Sequence, residues 1–297
     1  MPNSESNTSD PLRLLKRAFK PAVSAFSRHA PAPVVLFLFR RLNRFHLLPA
    51  GRSFRTNQFL GDLTVECDCT YPIEREILQN NVWDRDTVET IQRLVKVGDI
   101  CMDVGANMGS LSLAMARQTG ATGKVYSFEP GPTLAARLRR NVELNPKFKN
   151  TIILSEIGLS DKPGRLFYNE DAQNRGNGGL LGTSGQSIEV ITADEFARRT
   201  ALKRLNFVKI DVEGMELEVL KGGLETWKRF QPVLYFETIR EFEAHLKKPI
   251  FQEIETMLKG IGYVLYKCVE GRLVETTSAG FGHDTVAMPS SMLPGVY

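Results

Sequence analysis

Hydrophobic and polar positions along this chain change period several times, and each change marks an element. Residues 1–10 are Asn/Ser/Thr-rich and read as a disordered end. Leu12, Leu14, Leu15, Ala18 and Phe19 then recur at near-helical spacing among Arg13, Lys16, Arg17 and Lys20, until Pro21 breaks the run. A second basic amphipathic piece over residues 34–48 mixes Leu36, Phe37, Phe39, Leu42, Phe45 and Leu47 with Arg40, Arg41 and Arg44. Such pieces either lie on a membrane surface or pack on the domain as a helical lid. Between residues 54 and 69 the period shortens to two. Val65, Cys67 and Cys69 alternate with Thr64, Glu66 and Asp68, predicting a strand paired through a turn near Gly61-Asp62. Helices are predicted over residues 74–79 and 86–95, the second capped by Asp86 with Glu89 closing the box.

A strand–helix alternation follows. Short apolar strands are predicted at residues 100–104, 125–128, 151–155, 206–210 and 233–236, with a further one at 165–168. Helices are predicted at 110–118, stopped by Gly120, at 132–144, opened by Pro132, at 215–221 and at 250–259. Thr192 and Glu195 form a capping box for a short helix, and residues 169–185 make a Gly/Asn/Ser-rich loop. Strands at 263–266, 272–275 and 285–288 close the chain. This is the pattern of an α/β fold, a mostly parallel sheet with helices on both faces and an antiparallel hairpin at one edge. The expected organisation is a basic N-terminal arm over 1–50, a pre-core hairpin and helices over 51–95, and one α/β domain over 96–292.

Composition adds little until charge is mapped. The 297 residues carry a net charge of +4, yet residues 1–60 alone hold ten Lys/Arg against Glu5 and Asp10, a balance of +8. The rest of the chain therefore carries −4. Such an arm seeks phosphates or anionic lipid headgroups, or is simply solvated. The longest apolar stretch, residues 30–39, contains two prolines and falls far short of a membrane span. Four dispersed cysteines form neither a CxxC pair nor a zinc-spaced cluster, so no metal framework is expected and a reducing cytoplasm fits best, with attachment to the inner membrane surface through the arm as the variant.

The chemistry gathers at strand ends, where doubly wound sheets bind ligands. Asp103-Val104-Gly105-Ala106-Asn107-Met108-Gly109 follows the first strand of the alternation. Gly105 and Gly109 let backbone approach a ligand, but their spacing is not the G-x-G-x-x-G of a dinucleotide pyrophosphate site. A carboxylate at Asp103 suits a cationic ligand such as the amino group or sulfonium of S-adenosylmethionine and would repel a pyrophosphate. Glu129, after the second strand, can accept both hydroxyls of a ribose. An NAD(P)-dependent oxidoreductase would use the same device. It is disfavoured by the turn spacing.

The run from Gly98 to Gly109, FEP at 128–130, RNVELN at 140–145, EIGLSD at 156–161 and KIDVEGMELEVLKGG at 209–223 together resemble the FkbM family of S-adenosylmethionine-dependent methyltransferases. The resemblance covers roughly residues 70–290. It implies a class I methyltransferase sheet of seven strands, the last antiparallel, and O-methylation of a hydroxyl on a sugar, glycolipid or other natural product. It further implies that Asp103, Gly105, Ala106, Asn107 and Gly109 surround the methionine part of the donor. Glu129 and Pro130 would meet the ribose, Asn141 would support the second loop, and Ile157 and Gly158 would line the adenine. Ala193 departs from the family's usual Leu, and the basic arm lies outside the matching part.

Methyl transfer needs alignment and, for an alcohol acceptor, a proton acceptor. Asp211 and Glu213 follow the fourth strand and Glu237 ends the fifth, so three carboxylates are expected on the rim beside Asp103 and Glu129. Crowding should raise at least one pKa. Asp211 is either the base or the partner of the donor's amino group, and His283, before the last strand, is a further catalytic candidate. A divalent cation held by the same carboxylates is the other route to an activated hydroxyl, although no ligand set for one stands out. The expected partner is a small-molecule or glycan hydroxyl acceptor. Nucleic acid is disfavoured for want of an aromatic-basic platform, and a non-catalytic module acting through the arm is disfavoured by the full motif set. Oligomeric state leaves no mark in the sequence.

Overall fold

The structure, a computed structural model, describes residue 26 and residues 29–42, 51–168, 185–240, 249–269 and 272–292. The predicted helix over 12–20, most of the 169–185 loop and the tail of the predicted 34–48 segment lie outside the described residues. The chain divides into two compact units at Trp83/Asp84.

In the first unit, helix α1 (Ala32–Leu42) precedes an antiparallel hairpin of β1 (Ser53–Phe59) and β2 (Leu63–Asp68), followed by α2 (Pro72–Asn80). The hairpin turns at Leu60 and Gly61, both with positive φ, beside the predicted Gly61-Asp62 turn. Alternation places Phe54, Phe59, Leu63, Val65 and Cys67 inside, as the period-two pattern requires. Arg40 ties α1 to this unit. Its guanidinium donates to the Leu78 carbonyl at 2.9 Å, Gln58 Oε1 at 2.8 Å, Asn81 Oδ1 at 2.7 Å and Thr56 Oγ1 at 3.1 Å.

The second unit opens with α3 (Arg85–Leu94), so this helix groups with the sheet and not with the pre-core segment. Its cap is Asp84, whose carboxylate accepts from Thr87 N at 3.1 Å. The expected cap at Asp86 was one half-turn late, since Asp86 is already helical. Then come β3 (Ile100–Val104), α4 (Ser110–Thr119), β4 (Lys124–Phe128), α5 (Pro132–Glu143), β5 (Ile152–Ser155), β6 (Gly158–Leu159), β7 (Gly164–Tyr168) and β8 (Gln186–Ile191). The rest is α6 (Ala193–Arg199), β9 (Phe207–Ile210), α7 (Glu216–Lys221), α8 (Leu224–Phe230), β10 (Val233–Glu237), α9 (Ile250–Gly260), β11 (Tyr263–Val269), β12 (Arg272–Glu275) and β13 (Asp284–Pro289).

The central sheet has eight strands in the order β12-β11-β13-β10-β9-β3-β4-β5. β5, β4, β3, β9 and β10 pair in parallel, and β13 inserts antiparallel between β10 and β11. Seven of these strands make the sheet expected from the resemblance; β12 hairpins onto its edge as an eighth. The predicted strand near 165–168 joins a separate three-stranded sheet, β6-β8-β7. Strand β8 and helix α8 were not expected. β8 buries Ile188, Val190 and Ile191 and pairs with both its neighbours, so it is held by contacts that a short mixed stretch next to a polar loop does not advertise.

One face of the sheet presents Met102, Val104, Phe128, Val208, Ile210, Leu234 and Phe236 to a core closed by Phe196, Leu217, Trp227, Ile254 and Leu258. Trp227, fully buried, donates its indole N–H to the Leu220 carbonyl at 2.9 Å. Strand order reverses at β3, between β4 on one side and β9 on the other. The carboxyl end of β3 is thus the switch point where a ligand crevice opens. Among the described residues no helix is long and apolar enough to cross a membrane.

Replacing Asp84 by Ala should lower the stability of the second unit by about 1 kcal/mol, the usual worth of an N-cap, read as a shift in denaturant midpoint. Asp86→Ala should cost less, and a larger loss at Asp86 would contradict the cap assignment.

Candidate active site

Three chain reversals meet at the carboxyl end of the central sheet: the turns after β3 and β4, and the corner after β9. Gly105 N and Ala106 N both donate to the Phe128 carbonyl at 3.0 Å, and Asp211 N donates to the Val104 carbonyl at 3.0 Å. Gly105 has φ +82°, and a Cβ built there would lie 1.8 Å from the Asp211 carbonyl oxygen. Only glycine lets the two corners touch. Asn107 takes a left-handed backbone, φ 51°, and its Oδ1 accepts from Met108 N at 2.7 Å. Gly109 starts α4 with φ +89°, close against Leu138. The turn is therefore held in one backbone conformation by its own residues.

Glu129 is buried and binds this turn directly. Its Oε2 accepts from Asn107 N and its Oε1 from Gly131 N, each at 2.8 Å. A carboxylate at this strand end is the acceptor type that ribose hydroxyls would need. Pro130 is half-buried, and Gly158 sits in β6 where an added Cβ would be 3.8 Å from the Pro130 ring and 3.0 Å from Val190. Ile157 is half-buried against the main core. Gly158 is thereby brought beside Pro130, the residue after Glu129. Asn141 has a role at the glycine turn. Its Nδ2 donates to the Met108 carbonyl at 3.0 Å, so it braces the glycine turn.

Asp103 departs from expectation. Its carboxylate is wholly buried and turned into the sheet, where Ser112 Oγ of α4 donates to it. The register explains why. Asp103 lies directly opposite Ser127 on one side and Lys209 on the other, and Lys209 lies opposite Tyr235. Cross-strand partners share a face, so Tyr235, Lys209, Asp103 and Ser127 form a polar row facing α3 and α4. Thr87 of α3 meets the Tyr235 hydroxyl at 2.7 Å, and Ser112 meets Ser127 at 2.8 Å. Burial raises the Asp103 pKa, an effect that Lys209 and Ser112 only partly offset.

Lys209 is the functional residue that sequence reasoning passed over. It is 4% exposed, with Nζ 3.0 Å from Asp211 Oδ2 and 3.9 Å from Asp103 Oδ1. Burial opposes its charge, but Asp211 and Asp103 outweigh burial and hold the ammonium above its ordinary pKa. A lysine within the four-residue buried strand FVKI was the available signal, because buried lysines are almost always paired.

The corner after β9 is built by Glu216. This buried carboxylate accepts from Val212 N at 2.9 Å and Gly214 N at 3.3 Å. It thereby holds Glu213 in a left-handed conformation, φ 55°, that costs about 1–3 kcal/mol in a non-glycine residue. Glu216 thus shapes the corner in addition to any effect of its charge at the start of α7. Burial, together with Asp211 and Glu216, pushes Glu213 up to about 8. Burial pushes Glu216 up to about 7 against the pull of its backbone donors.

Glu237 ends β10 opposite Asp284 of β13. Its Oε2 is buried without a hydrogen-bond partner, while Oε1 lies 3.7 Å from Nε2 of the exposed His283. His283 Nδ1 is 3.3 Å from Asp284 Oδ2. Burial first, then Asp211, Glu213, Glu216 and Asp284, push Glu237 up to about 9. Asp211, Glu213, Glu237 and His283 are thus brought to one rim. Among the described residues, no group of three or more His, Cys, Asp or Glu is set to hold a metal ion.

The strand order, the antiparallel insertion of β13 and a glycine turn at the switch point define a class I S-adenosylmethionine-dependent methyltransferase fold. Residues 103–265 match the methyltransferase FkbM domain, and the chain belongs to that family. Three relatives extend the likeness. The hexuronic acid methyltransferase AglP of Haloferax volcanii is 30% identical over 140 residues, 47% of this chain and 56% of that protein. The 2-O-methyltransferase NoeI of Sinorhizobium fredii is 26% identical over 160 residues, 46% and 63% of the two chains. The 31-O-demethyl-FK506 methyltransferase FkbM of Streptomyces tacrolimicus is 27% identical over 226 residues, 64% and 80%. The chain thus spans little more than half the length of the first of these relatives.

The Glu237 geometry generates a pH test of stability. Its folded pKa of about 9 lies above the ordinary 4.5, so the native state holds a proton that the unfolded chain releases. That contribution is fully present below 4.5 and is lost as pH rises through about 9. Glu237→Gln, which cannot ionise, should gain in Tm relative to the parent as pH rises across this window. Parallel Tm–pH curves for the two proteins would contradict the assignment.

Proposed function

We propose that this chain moves the methyl group of S-adenosylmethionine onto a hydroxyl oxygen of a sugar, glycolipid or other polyhydroxylated natural product, with Glu237 accepting the hydroxyl proton. The observation that carries the reading is the Glu237 carboxyl: buried at the rim, pushed up to about 9, with one oxygen lacking a hydrogen-bond partner. The relatives' names, which speak of a hexuronic acid, a 2-O position and a 31-O position, support an oxygen acceptor.

Bound at the switch point, the donor supplies an electrophilic methyl on a positively charged sulfur. The glycine turn at Gly105 and the carboxylate of Glu129 would hold its methionine and ribose parts. Asp211, ion-paired to Lys209 at 3.0 Å and still 38% exposed, presents a fixed negative charge to a cationic donor. Glu237 holds its proton at neutral pH and loses it readily only as pH rises, which makes the ionised form a strong acceptor. His283, 3.7 Å away on the solvent side, can pass that proton outward.

Release of S-adenosylhomocysteine against a panel of sugar, polyketide and lipid-linked hydroxyl acceptors would test the reaction. Glu237→Gln should lower kcat by about 10²–10⁴-fold with little change in KM, and the parent's kcat should climb with pH toward the alkaline side. An unchanged kcat in Glu237→Gln would remove it from the base role. Asp211→Asn should weaken donor binding more than turnover; the opposite split would make Asp211 the base.

A further inference from the structure

Outside the methyl-transfer site, the first unit carries a surface that its own core leaves uncovered. α1 is apolar on nearly every side. Val35 and Phe39 point inward at 1% and 0% exposure, whereas Phe37 stands 66% and Val34 43% exposed on the opposite side. Phe26, shortly before the helix, is 47% exposed. A surface helix normally turns polar residues outward, and isolated exposed apolar side chains need no explanation, but a run of them on one helix does.

The charges beside this face share one sign. Arg40 and Arg41 end the helix, and Arg55 joins them along a groove of about 470 Å³ whose wall includes Pro33, Leu36 and Phe37. Arg40 is committed to four acceptors within the unit, so its role is to anchor the helix. Arg55 shares its charge with Glu66 at 2.8 Å. Arg41 is exposed and has no acidic partner among the described residues. The 1–60 segment carries ten basic and two acidic residues while the rest of the chain sums to −4. An anionic surface would therefore attract this end of the sequence and repel the remainder.

Aromatic and aliphatic side chains flanked by unpaired arginine are what an interfacial helix uses: the rings enter the headgroup boundary and the guanidinium meets lipid phosphate. Eleven residues span only about 16 Å, far less than the hydrocarbon thickness of about 30 Å. The helix can lie on a bilayer and cannot cross one. We propose that the outward face of α1, centred on Phe37 and Arg41, docks this chain on an anionic lipid bilayer. The proposal is independent of the acceptor assignment, since it rests on the first unit alone.

The test is co-sedimentation of the full chain with vesicles of phosphatidylcholine alone and of phosphatidylcholine and phosphatidylglycerol in equal parts. The chain should pellet with the anionic vesicles only, and high salt should release it as the Debye length shrinks. Phe37→Ser and Arg41→Glu should each lower the bound fraction at least about fivefold, with S-adenosylhomocysteine binding and circular dichroism unchanged. Absence of pelleting, equal pelleting with neutral vesicles, or variants that bind like the parent would overturn the proposal. So would a parent dimer that Phe37→Ser turns into a monomer, which would assign the face to a second copy of the chain.

Discussion

The carbonyl oxygen of Asp211 occupies the space where residue 105 would otherwise carry a Cβ. The rest of the site depends on that contact. Because Gly105 lets the β3 turn and the β9 corner touch, the turn lies directly against the corner that carries Asp211 and Glu213. The corner is then shaped from behind by Glu216, which gathers two backbone N–H groups and fixes Glu213 in a conformation it would not choose alone. The turn is shaped in the same way by Glu129 and Asn141. Buried polar side chains thus act here chiefly on backbone, and the backbone defines the site.

Charge follows from the same packing. Asp103 inside the sheet and Asp211, Glu213 and Glu237 on the rim, with a single buried lysine among them, cannot all ionise near neutral pH. Lys209 sits between Asp103 and Asp211 and offsets burial only in part at Glu213, so Glu213 and Glu237 stay pushed up to about 8 and about 9. Two roles then separate on one rim. The lysine-paired carboxylate offers steady negative charge, and the unpaired one offers a site for a proton. The proposed transfer to a hydroxyl would use both.

Much of this was legible before any coordinates. The strands at 100–104, 125–128, 206–210 and 233–236 showed as short apolar runs, each closed by glycine, proline or carboxylate, and their alternation with helices gave the parallel sheet. The rim residues Glu129, Asp211, Glu213 and Glu237 were legible as strand-end carboxylates. What escaped depended on register between distant segments. That Asp103 faces Lys209 follows from pairing between strands more than a hundred residues apart, and no local pattern encodes it. Asp103 was therefore taken for a ligand contact when its pleat parity turns it inward. Strand β8 was missed for a related reason: its pairing with β6 and β7, and not its own sequence, makes it a strand. The cap at Asp84 was confused with Asp86 because either could head a helix, and only the backbone shows where helical geometry begins.

The central claim is that the turn after β3 and the corner after β9 form one donor site through the Gly105–Asp211 contact. Calorimetric titration of S-adenosylhomocysteine into the full chain and into Gly105→Ala, both checked for folding by circular dichroism, tests it most directly. Saturable binding to the parent, lost or strongly weakened in a folded Gly105→Ala, is the predicted result. Binding of equal strength to both proteins, or no heat with the parent, would contradict the account.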